Sequence, residues 1–76
     1  MKTIDKEIIT PEFGQFIREA REMKGLYQWE VADQLGVSRA YYTHIEQGGR
    51  DIYFTAAVNI CRILDLDLGD FMKRLK

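Results

Sequence analysis

The sequence predicts an all-α domain, a compact bundle of five short helices around one core. Three observations carry the prediction. Apolar residues recur at spacings of three and four along most of the chain, and no alternating strand pattern competes with them. Glycines stand where the apolar stripes end, at Gly25, Gly36 and Gly48-Gly49. Thr10, Ser38 and Asp67 stand just ahead of new stripes, where a short side-chain oxygen can cap a helix start. Seventy-six residues make one domain and are too few for two.

Residues 1–10 mix Lys2, Asp5, Lys6 and Glu7 with Ile4, Ile8 and Ile9 and read as an N-terminal arm, with a short turn or a pairing strand as alternatives. The domain proper is expected over residues 11–76. Thr10-Pro11-Glu12 opens the first helix with a hydroxyl cap, a proline in the first turn and an acid near the positive helix end. Phe13, Phe16, Ile17 and Ala20 form its inward stripe, and Gly25 ends it near Lys24. The second helix runs from Gln28 to Leu35 with Val31, Ala32 and Leu35 inward, and Gly36 follows. Ser38 caps a third helix from Arg39 to about Gln47, with Tyr42 and Ile45 inward and Val37 at its entry. Two short helices joined by a few residues that include a glycine form a helix-turn-helix.

Phe54, Ala57, Val58, Cys61 and Leu64 mark a fourth helix, widened by Ile60 and Ile63. Asp67 starts a fifth, with Asp70 three residues on as an imperfect capping box and Leu68, Phe71, Met72 and Leu75 as its stripe. Lys73, Arg74 and Lys76 lie at its end, where the helix dipole favours cations.

Composition removes several function classes. Cys61 is the lone cysteine, so no disulfide closes within the chain, which fits a reducing cytosol. His44 is the lone histidine, so a Cys/His zinc site lacks ligands. The acids Asp65, Asp67 and Asp70 lack the glycine and terminal glutamate of a calcium loop, and helix capping accounts for them better. No nucleophile–base pair or phosphate-cradling glycine loop is present, so neither enzyme chemistry nor a cofactor or small-molecule ligand is expected. No apolar run approaches the roughly 20 residues of a membrane span. A soluble cytoplasmic chain without membrane attachment is the expectation. Eleven Lys and Arg against twelve Asp and Glu give a net charge of −1 and a pI near 5.7. A nucleic-acid binder with that balance must gather its basic groups on one face.

The segment QWEVADQLGVSRAYYTHIEQG, from Gln28 to Gly48, resembles the helix-turn-helix of the Cro/phage-repressor, or XRE-like, family. The likeness extends from Phe13 to Met72 and implies the lambda-repressor-like fold, with helices 2 and 3 as the DNA-binding unit. Physical reasons for the pattern can be stated. Ala32 must be small where the two helices cross, Gly36 takes a turn conformation that a Cβ would penalise, and Val31, Leu35, Val37 and Ile45 hold the angle. Arg21 and Glu46 match a recurrent ion pair of the family, which implies a partly buried bridge between helix 1 and the recognition helix. The stretch from Arg39 to Ile52 also looks like the restriction–modification controllers, short dimeric regulators. Tyr27 and Tyr53 depart from the family, which usually caps helices 2 and 4 at these places with a short polar residue. Tyr42 stands where Ile or Val is usual, and its hydroxyl needs water or a partner.

The resemblance implies double-stranded DNA as partner, with the third helix in the major groove and the second across the backbone. Arg39, Ala40, Thr43, His44 and Gln47 lie on the face of helix 3 that has no core duty. Arg39 can offer a fork to guanine O6/N7, Ala40 can meet a thymine methyl, and Thr43 and His44 can hydrogen-bond base edges or phosphates. Tyr41 reaches a phosphate or packs between helices. Gln28 is expected on a phosphate with the free amides of its helix start, and Arg50 as a phosphate clamp after the turn. Trp29 faces outward, towards DNA, the arm or a partner. Phe71, Met72 and Leu75 are the expected dimer contact, because a chain this small has surplus apolar surface. A homodimeric, autoregulatory transcription regulator on a palindromic operator is the leading expectation. An antitoxin bound to a toxin and a protein-interaction module without DNA binding are the rivals.

Overall fold

The computed structural model describes residues 11–48 and 54–74. These form α1 (Pro11–Met23), α2 (Gln28–Leu35), α3 (Arg39–Gln47), α4 (Phe54–Ile63) and α5 (Leu68–Arg74). Among the described residues every element is helical. The arm at residues 1–10, the Gly49-Arg50 turn, Tyr53 and Leu75 lie outside them.

Helix boundaries follow local chemistry. Ser38 Oγ accepts from the Tyr41 amide at 3.1 Å and starts α3. Asp67 Oδ1 accepts from the Gly69 amide at 2.9 Å and starts α5. Tyr27 opens α2 without a hydroxyl cap, and Glu30 compensates: its Oε1 accepts from the Tyr27 amide at 2.8 Å. Gly36 takes φ 81°, a left-handed conformation, so its amide and that of Val37 both close on Ala32 O. At the end of α4 an aspartate does the same work. Asp65 sits at φ 59°, and Leu66 N reaches back to Cys61 O at 2.7 Å.

One core joins all five helices: Phe13, Phe16 and Ile17 of α1, Val31 and Ala32 of α2, Tyr42 and Ile45 of α3, Ala57, Ile60 and Cys61 of α4, then Leu64 and Phe71. Full burial of each large apolar side chain stabilises by roughly 1.5–3 kcal/mol. Phe71 packs edge-on to Phe13 at 5.2 Å between ring centroids and lies 5.3 Å from Phe16. It is 1% exposed, which corrects the expectation that it faces a second subunit. Its ring is the anchor by which α5 docks on α1. Phe54 is 48% exposed, which corrects its place in the α4 stripe. The buried set of Ala57, Ile60, Cys61 and Leu64 begins one turn later, and Val58 lies at its margin. Cys61 is a core residue, and burial, aided by Asp67, pushes its thiol up to about 11.

Helices α1 and α3 approach each other closely at Gly14. A Cβ there would stand 2.6 Å from Ile45 O and collide with Glu46 O. Only glycine lets the two backbones meet so closely, and this contact sets where α3 stands on the body of the protein.

Candidate nucleic-acid interface

The two sides of α3 differ in kind. Tyr42, Ile45 and Glu46 are buried; Arg39, Ala40, His44 and Gln47 are exposed, and Thr43 and Tyr41 are half-buried. Ala40, Thr43, His44 and Gln47 follow i, i+3, i+4, i+7, with Arg39 one turn before Thr43, so they share one solvent-facing surface. The structure brings these five expected residues together. Arg39 is the formal cation of the set. Arg50, the expected clamp, lies outside the described residues.

Beneath that surface runs a chain of polar contacts. Arg21 Nε donates to Glu46 Oε2 at 2.6 Å and Arg21 Nη2 to Glu46 Oε1 at 3.1 Å, a two-pronged pair that matches the bridge expected from the resemblance. Arg21 Nη1 donates to Leu26 O at 2.7 Å, which ties the α1–α2 loop to the same group. Burial works against the Glu46 charge, but hydrogen bonds from Arg21 and Gln28 outweigh it and hold the carboxyl below its ordinary value. The hydrogen bond to Glu46 raises the Arg21 guanidinium further above its ordinary value. The Tyr42 hydroxyl is buried within electrostatic reach of this pair without a well-aligned hydrogen bond. Burial, with the negative charge of Glu46, raises it well above the usual phenol range.

Gln28, expected on a phosphate, makes two contacts within the protein. Its Nε2 donates to Glu46 Oε1 at 3.0 Å and its Oε1 accepts from Thr43 Oγ1 at 3.0 Å. The side chain is a strut between α2 and two levels of α3, with one amide proton left for a phosphate. No pattern of spacing signals this strut, because it joins residues 15 and 18 positions apart. Gly14 did carry a signal: a glycine inside a helix costs about 1 kcal/mol against alanine, so a close backbone approach is its physical reason.

Trp29 faces outward as expected and is 52% exposed, with Tyr27, two residues earlier, at 68%. Of the expected dimer residues, Met72 is exposed on α5. Among the described residues no three His, Cys, Asp or Glu side chains converge on a metal-sized site, and no helix is long and apolar enough to cross a membrane.

The chain is similar to known proteins. A family model described as a helix-turn-helix domain matches residues 12–75. An uncharacterised HTH-type transcriptional regulator, YqaE of Bacillus subtilis (strain 168), is 36% identical over 61 residues, 80% of this chain. The match spans about half (53%) of that relative's length. Among solved structures, the restriction-modification controller protein C.AhdI from Aeromonas hydrophila is similar, with a TM-score of 0.73 and 32% identity, over 79% of this chain and 91% of that one. The clp gene regulator ClgR from Corynebacterium glutamicum shares the fold with a TM-score of 0.77 and 21% identity, over 99% of this chain and 76% of that one. The chain therefore belongs to the helix-turn-helix domain family, in its Cro/phage-repressor-like branch of transcriptional regulators.

Proposed function

We propose that the chain is a sequence-specific DNA-binding transcription regulator that acts as a homodimer on a palindromic operator and controls its own gene. The observation that carries the reading is the outward face of α3, where Arg39, Thr43, His44 and Gln47 present polar groups around the Ala40 methyl while a buried ion pair holds the helix from behind. Arg39 reads guanine, Ala40 and Thr43 meet neighbouring base edges, and His44, Gln47 and Tyr41 hold bases or phosphates along the groove. Arg50 grips the backbone beyond the turn. Half-sites then lie about one helical turn apart. Autoregulation is what the sequence resemblance to the controllers implies, and Met72, exposed on α5, supplies apolar surface for a second copy.

The test is selection of duplexes from a random pool by the purified protein, followed by titration of the selected site. Arg39→Ala should lose about 1–3 kcal/mol of discrimination at one guanine. Arg50→Ala should weaken all sites alike and flatten the salt dependence. An Arg39→Ala protein with unchanged affinity and base preference would sink the readout assignment. Sedimentation at micromolar concentration tests the dimer, and a monomer with and without the selected duplex removes it. The exposed pair Tyr27 and Trp29 favours a second reading, a protein-interaction module. Absence of any salt-dependent DNA binding would select it.

A further inference from the structure

We propose that Glu46 and Gln28 fix the hydrogen-bond polarity of Thr43, so that Thr43 reads a base amino group in the major groove: adenine N6 or cytosine N4. The inference deepens the DNA-binding reading and rests on it.

The argument follows the donors and acceptors outward from the core. Arg21 binds both oxygens of Glu46, at 2.6 and 3.1 Å, and a carboxylate so held can only accept. Gln28 lies 3.0 Å from Glu46 Oε1, so the amide nitrogen, not its oxygen, must face the carboxylate. The amide oxygen is thereby turned to Thr43 Oγ1, 3.0 Å away, and it too can only accept. The single Thr43 hydroxyl proton must then point at Gln28. What remains on the hydroxyl oxygen is lone-pair density, on the face of α3 shared with Ala40, His44 and Gln47.

A threonine hydroxyl is ordinarily ambiguous, since it rotates to donate or accept and tolerates either kind of base edge. Here rotation would break the Gln28 contact. An acceptor fixed at this place matches the amino groups of adenine and cytosine and opposes O6 of guanine and O4 of thymine. Gln28 and Glu46 are thus positioning residues for base choice at one operator position. Neither needs to touch a base.

The experiment uses the full chain and a duplex selected from a random pool, with all four base pairs placed in turn at each position. The expected result is one position where adenine or cytosine exceeds guanine and thymine by roughly five- to tenfold, the scale of one net hydrogen bond. Thr43→Val, which keeps the shape and removes the hydroxyl, flattens that preference, and Thr43→Ser retains it. Gln28→Met releases the hydroxyl and flattens the same position, leaving preferences elsewhere unchanged. Equal weakening of every duplex by Gln28→Met makes Gln28 a phosphate grip and overturns the proposal. So does a Thr43→Val protein that keeps the preference. A measurement without DNA separates the two readings. The Gln28 side-chain amide resonances of the free protein should move in Thr43→Val, and resonances that stay in place overturn the relay whatever the DNA result. No enrichment of any duplex removes the DNA reading, and this inference with it.

Discussion

The inward and outward sides of α3 are built from the same nine residues and obey different rules. Inward, Tyr42, Ile45 and Glu46 are enclosed by other helices, and each position tolerates little change in volume or polarity. Outward, Arg39, Ala40, His44 and Gln47 meet solvent and are free of packing demands. The contrast teaches that placement of this helix and its choice of bases are separable in most residues. Thr43 is where they meet, through Gln28.

The largest expected effect is on the inward side. Arg21→Ala leaves the Glu46 carboxylate buried without its cation, and loss of one partner of such a pair costs about 3–5 kcal/mol. Urea unfolding should show it as a fall in midpoint. Exchanging both partners for Met and Leu should recover much of the loss, since a packed apolar pair avoids the desolvation penalty. Acid probes the same contact. The folded-state Glu46 carboxyl titrates below its ordinary 4.5, so its stabilisation is complete above that value and disappears as pH falls through the lower folded one. Glu46→Gln should shrink this acid-side loss; an unchanged acid limb would place the coupling elsewhere.

Gly14→Ala comes next. The added methyl meets the Ile45 and Glu46 carbonyls, and overpacking against backbone costs about 1–3 kcal/mol. Helix propensity alone predicts the opposite sign, a gain of about 1 kcal/mol, so the thermal midpoint of this variant decides which effect wins.

These two sites also show how much the sequence could reveal. The helices, their glycine ends and most of the core were legible because each is written within one turn or one stripe. Gly36 after Leu35 and Ser38 before Arg39 are local signals, and the structure places both as read. Residue pairs far apart in sequence were legible only where a family pattern named them, as with Arg21 and Glu46. The Gln28–Thr43 contact and the role of Gly14 depend on how α1, α2 and α3 meet, and no periodicity records that. Phe71 was misplaced for a related reason. An apolar stripe says that a residue seeks cover, not whether its own chain or a second copy provides it. Helix capping accounts for Asp65 in the sequence, but its left-handed conformation at the end of α4 is not legible there, because such an end usually advertises itself with glycine.

Tyr42→Phe tests the border between the two sides with a smaller change. The ring fills the core at 0% exposed, and its hydroxyl is buried without a well-aligned partner. Removing a polar group that has lost water and gained little in return should be neutral or stabilise by up to about 1 kcal/mol. A loss above that size would show that the hydroxyl supports the Arg21–Glu46 pair. The acid limb would then shift as well.

The outward side should give the smallest stability change. Arg39→Ala and His44→Ala remove exposed side chains of α3, and such substitutions usually stay within about ±0.5 kcal/mol. Alanine is also the best helix former, which offsets part of any loss. Their thermal midpoints should therefore match the parent while Arg39→Ala loses base discrimination. A clear drop in stability for Arg39→Ala would mean that the residue helps to hold the helix it sits on. The separation between the two sides of α3 would then begin only after its first turn.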